Sequence, residues 1–177
     1  MSKGFDFYRI KMAFKAEAEN GAIEPTKTED LVMATCYTEA EKIAYKLMEG
    51  KDRFGEVSYE ITKTKISSVL YNDTFQTDEN LICGLFSYYF EEPEDTEVGL
   101  YAVSAIIYFV VEKTGKLKPQ KETIYLPAKS PRQAIANTVE YINVFIPNAD
   151  SYTIRNVKYD KAQSVMVTPE VHTANIA

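Results

Sequence analysis

The sequence predicts an α+β fold in which a unit of two strands, one helix and a third strand occurs twice. The first observation is a repeated strand: residues 58–61 read Ser-Tyr-Glu-Ile, residues 151–154 read Ser-Tyr-Thr-Ile, and a lysine stands four positions after each isoleucine. The second is a glycine turn ahead of each copy, Asn-Gly at 20–21 and Thr-Gly at 114–115. Similar elements in the same order at a nearly constant offset indicate an internal duplication with pseudo-two-fold symmetry.

A helix with a polar cap comes before each repeated strand. Thr38 and Glu41 fit a capping box, in which the hydroxyl accepts from a backbone amide and the glutamate reaches back to the cap. Ser130 is followed by Pro131, which suits the first helical position because no amide proton is needed there. The two caps lie 92 residues apart and the repeated strands 93 apart. Apolar residues at helical spacing follow each cap, so each helix is expected to pack on the mostly antiparallel sheet.

The opening strands of the two halves differ in pattern. In the first half Tyr8, Ile10, Met12 and Phe14 alternate with mostly polar residues, as in a strand with one buried face. In the second half residues 102–111 are almost wholly apolar, which predicts burial on both faces. The apolar and aromatic segment 81–90 is the candidate to cover that second face.

These patterns predict four segments. Because a unit of about 65 residues is marginal alone, the two units are expected to share one compact domain. The segments are a first unit at 1–73, an aromatic and acidic insertion at 74–99, a second unit at 100–167 and a C-terminal tail at 168–177.

Composition predicts a cytoplasmic protein. The chain has 177 residues with 45% hydrophobic content, enough for a substantial core. No apolar run reaches the roughly 18 residues of a membrane span, and the first seven residues lack the apolar core of a signal peptide. We therefore expect no membrane association. A duplicated unit can take the place of a homodimer, so a monomer is favoured and a homodimer stays open.

The net charge of −6 is unevenly distributed. Residues 1–73 carry 11 basic and 13 acidic side chains, residues 74–99 carry 7 acidic and no basic ones, and residues 100–177 carry 9 basic and 6 acidic ones. One acidic run is either a solvated loop or a partner-binding element, and its members are Glu91, Glu92, Glu94, Asp95 and Glu97. This balance argues against nonspecific duplex binding but leaves room for a local basic face.

The sequence offers little catalytic chemistry, and we expect no enzymatic activity, no cofactor and no metal. His172 is the single histidine, and Cys36 and Cys83 are the two cysteines. A histidine-dependent triad or a zinc site therefore lacks the residues it needs. Glycine is scarce at 7 residues, and none begins a phosphate loop that ends in Lys-Ser or Lys-Thr.

Two basic surfaces are the candidates for nucleic-acid binding. On the first strand an aromatic residue and three cations share the face opposite the predicted core, a combination with which a sheet stacks bases and contacts phosphates. The return strand adds Lys27, the third strand two lysines, and the turn of the second unit four more. The main candidates are Phe7, Arg9, Lys11, Lys15, Lys63, Lys65, Lys113, Lys116, Lys118 and Lys121. The alternative is a solvated strand face whose lysines prevent edge-to-edge aggregation.

A family resemblance rests on three features. These are the repeated strand and helix pattern, the charged turn Glu-Lys-Thr-Gly-Lys at 112–116 and the helix entry Tyr-Thr-Glu-Ala-Glu at 37–41. Together they resemble an uncharacterised family, a domain of unknown function, of small phage and prophage proteins of gut Bacteroidota. The likeness covers most of residues 7–160. It implies a phage or mobile-element accessory protein in the host cytoplasm, with no established active site.

Two functions from different classes follow. The first is single-stranded nucleic-acid binding, or a role as a replication accessory, through the basic and aromatic strand face. The second is a protein interaction module, such as a virion component or an inhibitor of a host defence factor. This second function would use the acidic run and the abundant tyrosines, 13 in all. The expected partner is accordingly single-stranded nucleic acid, or a phage or host protein.

Overall fold

The computed structural model describes residues 4–49, 54–70, 76–89 and 98–169. Within these residues the chain has an α+β fold of ten strands and two helices, with mostly antiparallel pairing. The strands form one six-stranded and one four-stranded sheet. Each sheet belongs to one of two compact units.

The first unit is built on a long hairpin of β1 (Asp6–Glu17) and β2 (Ile23–Ala34). Its predicted turn is present, and the Asn20 side chain accepts a hydrogen bond from the Ala22 amide at 3.0 Å. β3 (Phe54–Lys63) pairs antiparallel along the other side of β1. Helix α1 (Tyr37–Glu49) contacts all three strands. The local order of the unit is therefore strand, strand, helix, strand, as the sequence predicts.

One face of β1 forms the core of this unit. Tyr8, Ile10, Met12 and Phe14 are buried, which confirms the period-two prediction. Ala40, Ile43, Ala44, Leu47 and Met48 are the buried residues of α1, spaced as one helical stripe. The stripe packs on the buried face of the strands, so the helix and sheet share one apolar layer.

The predicted capping box at Thr38 is wrong. The helix begins at Tyr37, and its first backbone hydrogen bond runs from the Ala40 amide to the Cys36 carbonyl at 3.2 Å. The carboxylate of Glu39, not Glu41, reaches back, and it accepts from the Thr35 amide at 3.2 Å. By residue type Thr38 is the better cap, but the first hydrogen bond of the helix uses the carbonyl of Cys36, two positions earlier.

The second unit repeats this order with β7 (Gly99–Val110), β8 (Leu117–Ala128), α2 (Pro131–Phe145) and β9 (Ser151–Asp160). Ser130 caps α2 as predicted, because its hydroxyl accepts from the Gln133 amide at 3.1 Å. The Gln133 side chain in turn accepts from the Lys129 amide at 2.6 Å. No helix of the described segments combines the length and apolar character needed to cross a membrane.

Each sheet also contains a short strand that follows the other unit's third strand in the chain. β4 (Ser68–Val69) comes after β3 but pairs in parallel with β8 of the second unit. β10 (Ser164–Val167) comes after β9 but pairs in parallel with β2 of the first unit. The larger sheet contains the order β3-β1-β2-β10, and the smaller sheet has the order β9-β7-β8-β4. In both, the third strand of the unit is followed by its first strand, its second strand and the exchanged strand. Helical and strand periodicity gave no indication of this exchange.

The internal duplication stays a prediction, since a shared topology alone does not require a common origin. The repeated tetrapeptides lie in β3 and β9 but pair at different positions. Tyr59 lies opposite Met12, whereas Tyr152 lies opposite Ile107. When β1 and β7 are aligned by their burial patterns, Ile107 corresponds to Phe14 and not to Met12. The repeated tetrapeptides therefore pair with the first strands of their units at positions that differ by two residues.

Part of the predicted insertion extends the first unit's sheet. β5 (Gln76–Ile82) and β6 (Leu85–Tyr89) form a hairpin, and β6 pairs with β10. Cys83 and Gly84 make its two-residue turn with φ values of 51° and 77°, the left-handed conformation that such hairpin turns need. The acidic run at 91–97 and the tail residues 170–177 lie outside the described residues.

β7 is not buried on both faces over its whole length, which corrects the sequence prediction. Tyr101, Val103, Ala105 and Ile107 on the helix side are buried. On the other side the residues from 102 to 108 are only half-buried, and Val110 is 48% exposed. The apolar run therefore leaves part of this strand accessible.

A buried polar pair joins the exchanged strand to the first unit. Asp30 of β2 is 2% exposed and Ser164 of β10 is fully buried. The Ser164 hydroxyl donates to the Asp30 carboxylate. The neighbouring Gln163 amide donates to the Glu29 carbonyl at 2.9 Å. Side chain and backbone thus bind β10 to β2 at the same point.

Ser164→Ala is expected to lower the free energy of unfolding by about 1–3 kcal/mol, because a buried carboxylate loses a donor that water cannot replace. Urea unfolding followed by circular dichroism measures the loss. Ser151→Ala, at an exposed serine of β9, serves as the matched control and should change stability little. Equal effects of the two substitutions would contradict a structural role for the Asp30–Ser164 pair.

Candidate nucleic-acid interface

The aromatic residue of the predicted binding face is not accessible. Phe7, Arg9, Lys11 and Lys15 do share one face of β1, on the side away from α1. Phe7, however, is only 7% exposed, and Leu31 and Met33 beside it on β2 are buried as well. A base cannot stack on a ring with this little exposed surface. The end of the face that holds Phe7 is therefore part of the packed interior.

The cations of this face alternate with carboxylates. The Arg9 guanidinium lies 2.9 Å from the Glu29 carboxylate in a partly buried ion pair. In the strand register Lys11 lies between Glu29 on β2 and Glu60 on β3. Opposite charges at facing positions stabilise a sheet. They also leave no continuous positive track for a polyanion.

The two predicted lysines of the third strand do not extend this face. Lys63 lies opposite Tyr8 and thus on the helix side of the sheet. Its ammonium is 3.3 Å from the Asp6 carboxylate. Lys65 is exposed in the segment that follows β3. The structure therefore separates these lysines from Arg9 and Lys11.

A shallow depression of about 380 Å³ lies on this face where three strands meet. Ala13 of β1 is at its centre, with Lys27 of β2 opposite on one side and Ser58 of β3 on the other. The Ser58 hydroxyl donates weakly to the Ala13 carbonyl at 3.4 Å. We call this feature the Ala13 depression. The pairing of Ala13 with Lys27 could have been predicted from the sequence, because the turn at 20–21 fixes which residue of β2 faces Ala13.

Tyr59 lies near this depression but faces α1. Its hydroxyl donates to Glu41 at 3.2 Å and lies 3.1 Å from the Tyr45 hydroxyl. The hydrogen bond with Tyr45, together with desolvation and Glu41, raises the pKa of Tyr59 well above its ordinary value. The phenol therefore stays protonated at neutral pH and acts as a hydrogen-bond donor.

The four predicted lysines of the second unit lie together on the β7–β8 hairpin. Lys113 and Lys116 occupy the turn and Lys118 and Lys121 the start of β8, and all are exposed. None forms an ion pair with any residue in the described part of the chain. Gly115 closes the turn at a φ of 67°, and its amide donates to the Val111 carbonyl at 2.8 Å. We call residues 108–121 the basic hairpin.

Aromatic residues accompany these lysines. Lys118 lies opposite Phe109, and Tyr108 lies opposite Pro119. Both rings are half-buried, and the neighbouring Val110 and Leu117 are 48% and 52% exposed. The combination of aromatic and cationic residues that the sequence predicts on β1 is thus found on this hairpin. Tyr108 and Phe109 were not predicted as binding residues, because the apolar run around them predicted burial.

The described residues provide no metal centre. No group of three or more histidine, cysteine, aspartate or glutamate side chains in these segments is placed to hold an ion. Cys36 and Cys83 are exposed free thiols. His172 lies outside the described residues.

Comparison with known protein families gives one match. A family model described as a domain of unknown function, DUF4494, matches residues 6–168. The protein belongs to the DUF4494 family. No curated protein and no solved structure matches it. The matched range contains every strand and helix described above, so the DUF4494 domain takes in both units together with their exchanged strands.

A double-mutant cycle on Arg9→Met and Glu29→Gln is expected to give a coupling of about 0.5–1 kcal/mol, as for a partly exposed ion pair. The cycle cancels the other contacts of each side chain, and the coupling should shrink as NaCl is raised. Urea unfolding of the wild type, both single variants and the double variant supplies the four free energies. A coupling of zero would contradict a stabilising ion pair between Arg9 and Glu29.

Proposed function

We propose that this DUF4494 protein is a non-enzymatic accessory protein that binds single-stranded nucleic acid through the basic hairpin. The observation that carries the proposal is the set of four exposed lysines between Lys113 and Lys121, which lack ion pairs within the described segments. Their ammonium groups are accessible for contacts with phosphates, which supply most of the affinity in sequence-independent binding. The half-buried rings of Tyr108 and Phe109 supply apolar surface against which unpaired bases can stack.

The shape of the hairpin favours a flexible single strand over a rigid duplex. Lys118 and Lys121 stand three positions apart on β8, so their side chains leave opposite faces of the strand. Lys113 and Lys116 lie in the turn that precedes this strand. A single strand can bend around the turn and contact lysines on both faces. With a net charge of −6, binding elsewhere on the protein is disfavoured.

The cellular role follows from the resemblance to phage and prophage proteins. In this proposal the protein acts in the host cytoplasm as a phage or mobile-element accessory, for example during replication. The sparse supply of histidine, cysteine and glycine supports a binding role without catalysis. The basic face of β1 contributes less, because Phe7 is buried and Arg9 is paired with Glu29.

Lys113→Glu with Lys116→Glu is expected to weaken binding of a labelled single-stranded oligonucleotide by at least about tenfold at low salt. Each phosphate contact contributes about 0.7 to the steepness of log K against log salt. If both lysines contact phosphates, the slope of the double variant should therefore be shallower by about 1.4. Fluorescence anisotropy across a salt series measures both quantities. A duplex of the same length should bind more weakly than the single strand.

The matched control is Lys42→Glu with Lys129→Glu, which changes the net charge equally at two exposed lysines away from the hairpin. It should retain most of the affinity. An equal loss in both double variants would show a nonspecific charge effect, and no binding by the wild type at micromolar protein would overturn the proposal.

A protein interaction module is the second candidate, and the end of α2 favours it. Val144 and Phe145 are 60% and 71% exposed there. The Phe145 ring is stacked on Tyr141 with centroids 5.4 Å apart. Exposed aromatic and aliphatic side chains side by side are typical of interaction surfaces. The acidic run at 91–97 is the second element of this candidate, from the sequence.

Val144→Ser with Phe145→Ser is expected to abolish capture of a specific partner from host lysate if this candidate is right. Ile23→Ser removes a similarly exposed apolar side chain at the β1–β2 turn and is the control. A variant with the carboxylates of 91–97 replaced by amides tests the acidic run separately. Recovery of the same protein by every variant would contradict the interaction module.

A further inference from the structure

The Ala13 depression combines an apolar floor with two lysines, Lys11 and Lys27, among its lining residues. Its floor is the Ala13 side chain, which is half-buried and small. Lys11 and Lys15 stand two positions before and after Ala13, and therefore on the same face of β1. Lys27 faces Ala13 from β2 and Ser58 faces it from β3. Three of the four nearest neighbours of Ala13 on this face are thus lysines, and the fourth carries a hydroxyl.

Strand geometry keeps these groups within reach of one anion. Facing residues on neighbouring strands have Cβ atoms about 5 Å apart, and residues two positions apart on one strand are separated by about 6.6 Å. A lysine side chain spans more than either distance. The ammonium groups of Lys11 and Lys27, which line the depression, can therefore meet above Ala13, and Lys15 approaches from beyond the rim.

Two carboxylates also line the depression, and their surroundings differ. Glu29 accepts from the Arg9 guanidinium at 2.9 Å, so its charge is already compensated. Glu60 lies diagonally from Ala13 and directly opposite Lys11. Two lysines, Lys11 and Lys27, and these two glutamates are the charged residues that line the depression. Because Arg9 compensates Glu29, the two lysines face one remaining carboxylate, and the depression keeps a small positive charge.

We propose that the Ala13 depression binds the phosphate group of a small organic phosphate. Lysine ammonium groups and a serine hydroxyl are suitable donors to tetrahedral phosphate oxygens. The volume of about 380 Å³ is that of on the order of ten water molecules at roughly 30 Å³ each. This leaves room for the organic part of the ligand above the apolar floor. The site lies in the first unit and does not depend on nucleic-acid binding by the basic hairpin.

The test is a titration of the full chain followed by two-dimensional amide NMR. The probes are inorganic phosphate and a nucleoside monophosphate, each against NaCl at matched ionic strength. We expect saturable shifts of the Ala13, Lys27 and Ser58 amides with both probes and none with chloride. Tighter binding of the monophosphate than of inorganic phosphate supports an organic phosphate as the ligand. Equal affinities would contradict an organic ligand and indicate a site for inorganic phosphate. Shifts that do not saturate, or that chloride reproduces, would overturn the site.

Three variants test the residues. Lys27→Gln should weaken phosphate binding about fivefold, the factor expected for one charge contact in water. Ala13→Leu fills the floor without a change of charge and should abolish binding. Lys42→Gln removes an exposed lysine on α1 and should bind as the wild type does. Unchanged phosphate affinity in a folded Ala13→Leu variant would overturn the proposal. If Ala13→Leu fails to fold, unchanged phosphate affinity in Lys27→Gln would overturn it.

Discussion

The parallel pairing of β10 with β2 is the constraint on which the first unit depends. In the strand order of the larger sheet, β10 stands between the β3-β1-β2 group and the β6-β5 hairpin. Without it, the hairpin has no edge to join and β2 is left with an open edge. Only three residue pairs make up this ladder. The buried Ser164–Asp30 hydrogen bond therefore acts on a short junction, where each contact carries a large share of the stability.

Local sequence patterns predicted the helices and the long strands, whereas the positions of the short exchanged strands depend on long-range pairing. The alternation around Ile10 and the Ser130-Pro131 cap are properties of a few neighbouring residues, so they could be predicted from the sequence and are confirmed. The exchange of β4 and β10 could not, because two- and four-residue strands have no periodicity to detect. The start of α1 was missed because Cys36, whose carbonyl accepts the first hydrogen bond of the helix, is a poor cap by residue type.

For the candidate sites, the sequence located the lysines but not their surroundings. A lysine in a hairpin turn or at the strand end beside it is exposed in almost any fold, so the exposure of the four lysines of the basic hairpin was predictable. Whether Phe7 is covered depends on which segments pack over that end of the sheet, and periodicity within β1 contains no such information. The same limit applies to Tyr108, whose apolar neighbours predicted burial. Charge on a strand face likewise depends on register, which places Glu29 and Glu60 beside Lys11.

The exchanged strand also sets an order for synthesis. Ser164 and Asp30 are separated by 134 positions in the chain. The first unit is translated first, yet its sheet cannot close until residues 164–167 have left the ribosome. Until then β2 presents an unpaired edge, the kind of surface on which strands of other chains add. Domains usually complete folding in the order in which they emerge. Here the half that is made first must be the last to finish.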